Sequence, residues 1–247
     1  MYGSLIGAVR NKGIIPWDDD VDIMMPRKDY DQLISYCREH GDDIKPFVLF
    51  ENSLNINYPH PIARMSDSRY RLDFENEKDY GLGLFVDIYP LDGAGNNIKG
   101  AHKLVHKSYR NASLCFLTSR KKFGVDNTKS KMKMALKVPA YLWANAFGNA
   151  HYIKKANKLC STFGYDESAY VTGVAQPWPE KNGENKNIYK KEWFIPVEAE
   201  FEDGKLFIPI GYDKILKMGY GDYMTPPSEV DRKTHHTYDV YRRTNSK

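Results

Sequence analysis

Gly3-Ser4-Leu5-Ile6-Gly7-Ala8-Val9-Arg10, then Asn11 to Ile15, then Pro16-Trp17-Asp18-Asp19-Asp20-Val21-Asp22-Ile23: the reading of this run near the start of the 247-residue chain decides the fold. Val21, Ile23, Met24 and Met25 form an apolar run that predicts a strand ended by Pro26. Asp20 and Asp22 stand two apart, so within a strand their side chains leave one face. Carboxylates held side by side repel unless something positive lies between them. An all-oxygen ligand set suits a hard divalent ion, Mg²⁺ with Mn²⁺ as the alternative. The competing reading is an acidic surface turn, because Asp is a common turn former. Three features favour the ion. The apolar strand pins the carboxylates at a sheet edge, and Gly3-Ser4 opens a helix whose free N–H groups favour phosphate. The third is Asp87, which interrupts another apolar run, Phe85-Val86-Asp87-Ile88, where a carboxylate is costly unless paired or metal-bound.

Moving outward, the length suits one large domain or a core with an elaboration. A net charge of +4 is too mild to argue for nucleic acid. Cys37, Cys115 and Cys160 lack metal-ligand spacing, and their odd number argues against a disulfide framework and a zinc site. No signal peptide and no bilayer-length apolar run is visible, so the expected address is cytoplasmic.

In chain order, Ser4 reads as the N-cap of a short helix through Arg10, closed by Gly13. Pro26 to His40 predicts a helix whose Tyr30, Leu33, Ile34 and Cys37 form one apolar stripe. Phe47–Phe50 reads as a strand, and Ile62–Met65 and Tyr70–Phe74 as two more joined by a hairpin turn at Ser66-Asp67-Ser68. Arg64, Arg69 and Arg71 fit a solvated sheet face better than a nucleotide site. Asp92 reads as a turn residue. Ala101–Phe116 is a strongly amphipathic helix. The lysine-rich segment after it fits a solvated helix pair, or a surface helix meeting anionic lipid through Met132, Met134, Leu142, Trp143 and Phe147. Beyond Phe163, Trp178, Trp193 and several tyrosines are core residues or members of an aromatic cage for a quaternary ammonium. Phe201 to Phe207 predicts a hairpin through Asp203-Gly204, and Tyr212–Met218 a helix closed by Gly219.

Gly-Ser, a spacer and Asp-apolar-Asp-apolar resemble the nucleotidyltransferase superfamily, and the fuller run resembles the LicD family of phosphocholine transferases, relatives of fukutin. The resemblance continues through Gly83 to Asp92, Phe201-Glu202-Asp203-Gly204, Ile208-Pro209, Tyr220 to Met224, Pro226-Pro227 and His235-His236, and is loose in the middle. It implies an α+β nucleotidyltransferase-like domain over 1–247, a mixed sheet flanked by helices. Its parts are a core over 1–98, a helical insertion over 99–162 and a substrate-facing segment over 163–247. Asp20, Asp22 and Asp87 would then be the catalytic metal ligands. Gly3, Ser4, Arg10, Asp18, Arg232, His235 and His236 would bind phosphate or substrate. The implied reaction moves phosphocholine, or another alcohol phosphate, from CDP-choline or a related CDP-alcohol to a hydroxyl of a glycan or lipid-linked oligosaccharide, releasing CMP. A peripheral contact at the inner membrane face suits such an acceptor. The alternatives are a nucleotidyltransferase using a nucleoside triphosphate and a silent binding protein. Family members usually carry a helix and a strand ahead of the Gly-Ser turn, so an abbreviated start is expected here.

Overall fold

β5 (Leu84–Gly93) is the strand on which the molecule is assembled. The computed structural model describes residues 1–123, 131–178, 186–232, 234 and 238–243, with only the backbone of 131–136. Along one edge β5 pairs in parallel with β1 (Asp22–Pro26), setting Asp22 opposite Asp87 and Ile23 opposite Ile88. Along the other it pairs antiparallel with β3 (Ala63–Asp67), setting Arg64 opposite the same Asp87. β2 (Phe47–Phe50) extends the sheet beyond β3, and β6 (Tyr170–Thr172) and β7 (Tyr189–Lys190) continue it from Asp92 and Gly93. With helices flanking this mixed sheet, the architecture is α+β, as expected.

α1 (Tyr2–Ile6) runs into a π-helical turn, Gly7–Asn11, which Lys12 ends in the left-handed region at φ 53°. Ser4 lies inside the helix and does not cap it. Its Oγ accepts the Asp22 N–H at 2.8 Å, tying the helix to the start of β1. Leu5 and Ile6 join Leu91, Val171, Ile208 and Leu216 in a core shared by helix, sheet and a second hairpin. That hairpin, β8 (Pro196–Phe201) with β9 (Gly204–Pro209), turns at Glu202-Asp203, one residue earlier than predicted, with Glu202 at φ 50°. α6 (Tyr212–Tyr220) runs through Gly219 and stops at Gly221, whose φ of 69° suits glycine.

α2 (Arg27–Glu39) buries Tyr30 and Cys37 against Leu49, Ala63 and Ile88, as its stripe predicts. α3 (Ile98–Ser119) starts where the Asn97 side chain accepts the Lys99 N–H at 2.9 Å. It packs with α4 (Lys131–Phe147) and α5 (Asn149–Cys160). Leu142, Trp143 and Phe147 are exposed on α4, while the side chains of Met132 and Met134 lie outside the described residues.

Three local expectations fail. No β3–β4 hairpin forms, because both edges of β3 are taken by β2 and β5; β4 (Tyr70–Phe74) pairs with β10 (Tyr238–Arg242) instead. Asp92 is a buried strand residue, not a turn, and its Oδ1 accepts from Arg27 Nε at 2.7 Å. Arg64 is buried, donating to Asp87 Oδ1 at 2.7 Å, whereas Arg69 (ion-paired to Asp67) is more than half exposed and Arg71 packs its guanidinium over Tyr241.

Behind Asp87, Arg64 also faces Glu77, which meets His60 Nε2 at 2.5 Å. Burial lowers the His60 pKa and the Arg64 charge adds to it. His60 is therefore neutral in the fold where the unfolded chain would bind a proton, so stability should fall as pH drops below about 6.5. Thermal melts from pH 7 to 5 should show this limb and should show less of it for His60→Gln. A wild-type melting temperature that rises on acidification relative to that of His60→Gln would mean a charged His60, since the opposite contribution of Asp22 is common to both. Arg27→Met, which leaves Asp92 buried without its cation, should cost about 3 kcal/mol in urea unfolding.

Candidate active site

The β1–β5–β3 register creates a row across the sheet: Asp22, Asp87, Arg64. Both carboxylates are buried, at 6% exposure each. Arg64 pairs with Asp87 and also faces Glu77, whereas the cation acting on Asp22 is the N-terminal ammonium, which donates to the Asp22 carbonyl. Burial pushes the Asp22 pKa up to about 7, and the neighbouring charges of Asp20 and Asp87 add to the rise. Ser4 fixes the Asp22 backbone, so the side chain cannot escape by moving the strand start.

Asp18, Asp19 and Asp20 precede β1 in a half-buried loop, so Asp20 is not a strand residue as predicted. One carboxylate oxygen from each of these three lies within 4.8 Å of the others, the one such group among the described residues. Asp18 leans over α1. A Cβ on Gly3 would come 2.4 Å from Asp18 Oδ2, so any larger residue there displaces the carboxylate. Tyr238 of β10 donates its hydroxyl to the Asp19 carbonyl at 3.3 Å, holding the loop from the far end of the chain. The Asp18–Asp19–Asp20 donor set is entirely carboxylate, and the buried Asp22 follows it at the start of β1. Such a site fits a hard divalent ion.

Beside these acids lies a cleft of about 710 Å³, walled by Gly3, Arg10, Asp18, Asp20 and Asp22. Arg10 and Arg232 both lie over the Trp17 ring, at 5.9 and 4.6 Å from its centroid. Arg10 donates to the Tyr223 carbonyl at 3.0 Å, and partial burial together with the Arg232 charge lowers its pKa. Two guanidiniums thus converge at one mouth, from residues 222 positions apart in sequence. In the same cleft Tyr2 stacks on Trp178 (4.6 Å, 13°) and Tyr220 meets Trp178 edge-on (5.5 Å, 79°), all three lining it. Trp193 does not line it and packs against Gly211.

Of the predicted residues, Gly3, Arg10, Asp18, Asp20 and Asp22 line one cleft, Ser4 supports it, and Arg232 stands at its mouth. Asp87 lies one strand behind Asp22, and His235 and His236 lie outside the described residues. The sequence assigned no role to Asp19, Trp17 or Tyr2, and Arg64 was expected on a solvated sheet face. For Arg64 the signal was present: a cation between apolar residues in a strand candidate is the natural partner of an acid in a neighbouring strand.

The family described as LicD/FKTN/FKRP, nucleotidyltransferase domain, matches residues 1–125. The lipopolysaccharide cholinephosphotransferase LicD of Haemophilus influenzae is 31% identical over 244 residues, spanning 97% of this chain and 86% of that one. An uncharacterised Rickettsia typhi protein is 32% identical over 97 residues, 36% of this chain and 26% of that one. No solved structure matches. The sheet, its row of acids and this similarity across nearly the whole length agree, and the chain belongs to the LicD family.

Proposed function

We propose that the chain transfers phosphocholine, or a related alcohol phosphate, from CDP-choline or another CDP-alcohol to a hydroxyl of a glycan or its lipid-linked precursor. The observation that carries this reading is the composition of the cleft: carboxylates, Arg10 and the Tyr2–Trp178–Tyr220 rings line it together. The similarity to a protein named a lipopolysaccharide cholinephosphotransferase supports the same substrate class.

A quaternary ammonium has no N–H to donate, so ring faces are its natural partners. A diphosphate needs cations, and Arg10 and Arg232 supply two. Asp18, Asp19, Asp20 and Asp22 would hold Mg²⁺ or Mn²⁺, and Asp87, whose Oδ1 accepts from Arg64, would have only Oδ2 to offer. When bound, the ion neutralises phosphate charge and polarises the phosphoryl oxygen. In the transfer, the acceptor oxygen bonds to the choline-bearing phosphorus, and the bond from that phosphorus to the bridging oxygen breaks. CMP departs with the bridging oxygen, and the hydroxyl proton passes to a carboxylate oxygen of Asp20 or Asp22, both at the cleft wall. Gly3 lets Asp18 approach, and Ser4 keeps the Asp22 backbone in place.

CMP release from CDP-choline should require a divalent ion, whereas pyrophosphate release from a nucleoside triphosphate would favour the nucleotidyltransferase alternative. Asp20→Asn and Asp22→Asn should each lower CMP release at least about a hundredfold with unchanged circular dichroism. Trp178→Leu should raise KM for CDP-choline about tenfold and leave CDP-ethanolamine less affected. Equal losses for both donors would remove the rings from choline recognition.

A further inference from the structure

The segment 98–160, which contains α3, α4 and α5, carries a charge imbalance that the cleft does not use. It holds fourteen Lys and Arg residues against one acid, Asp126, for a net +13. The whole chain is +4, so the remaining residues sum to −9. Within this segment α4 turns an uncharged face outward. Val138, Leu142, Trp143 and Phe147 are 37, 63, 54 and 51% exposed, while Ala144 on the opposite side is fully buried. Between Val138 and Phe147 there is no charged residue.

The face does not end with α4. Trp143 touches Phe147 at 4.9 Å, and Phe147 touches His151 of α5 at 5.2 Å. From His151 the spacings of three, four and seven residues place Lys154, Lys155 and Lys158 on the same side of α5. His151 and all three lysines are exposed, whereas Tyr152, Ile153 and Ala156 are buried. An apolar strip with Trp and Phe thus borders a lysine stripe.

We infer that this face of α4 and α5 seats on the surface of an anionic bilayer, with Leu142, Trp143 and Phe147 entering the headgroup boundary and Lys154, Lys155 and Lys158 meeting the charged headgroups. Charge complementarity selects this occupant. A two-fold pairing of the face with itself would set two lysine stripes together, and protein interfaces are depleted in lysine. Among the described residues no helix is long and apolar enough to cross a membrane, so α4 lies on the bilayer instead of spanning it.

The test is co-sedimentation of the full chain with vesicles of phosphatidylcholine alone or with about one-third phosphatidylglycerol, at low salt and at about 0.5 M salt. The chain should bind the phosphatidylglycerol vesicles at low salt and be released at high salt. Lys154→Glu/Lys155→Glu/Lys158→Glu and, separately, Leu142→Gln/Trp143→Gln should each weaken binding at least about tenfold while keeping the wild-type melting temperature. Failure to bind at low salt, or binding undiminished in both variants, overturns the inference. So does a wild-type dimer in sedimentation equilibrium that Leu142→Gln/Trp143→Gln dissociates. None of these readouts depends on turnover.

Discussion

One buried bond between Arg64 and Asp87 sets the electrostatics of the whole site. Three neighbouring strands place Asp22, Asp87 and Arg64 in a single file, and the arginine is committed to the middle member. Removing a carboxylate from water is expensive unless its charge is answered. Asp87 is answered from inside the sheet; Asp22 is left facing the cleft with Asp20 nearby, and its raised pKa is the thermodynamic trace of that arrangement. Arg64 thus answers the rear acid, while Asp20, Asp87 and the N-terminal ammonium set the charge around the front one.

Much of this was legible from residue order. The alternation around Asp22, the apolar run broken by Asp87 and the stripes of α2 and α3 all follow local periodicity, which a sequence displays directly. What failed depended on partners far along the chain. Whether Ser66-Asp67-Ser68 makes a hairpin is decided by which strands take the edges of β3, and β4 finds its partner only at Tyr238–Arg242. Ser4 had the right type for a cap, but its hydroxyl went to the Asp22 N–H, 18 residues away. Asp92 resembled a turn residue because it precedes Gly93, and only the approach of Arg27 makes it tolerable inside.

The cleft also separates two tasks that a phosphate-transfer site must perform together. Its acids attract cations and its guanidiniums attract anions. The Trp17 ring is faced by both Arg10 and Arg232, and Arg10 is further held by the Tyr223 carbonyl. These contacts keep the arginines pointed at the mouth, where an incoming anion finds them already oriented.

The Tyr238–Asp19 bond has a consequence for when the site comes into being. The acidic loop is synthesised before the strand that steadies it, which lies 219 residues further along the chain. The nascent polypeptide therefore carries its acidic loop without this tether until β10 has been made, and the loop gains the bond only when that strand folds back onto it.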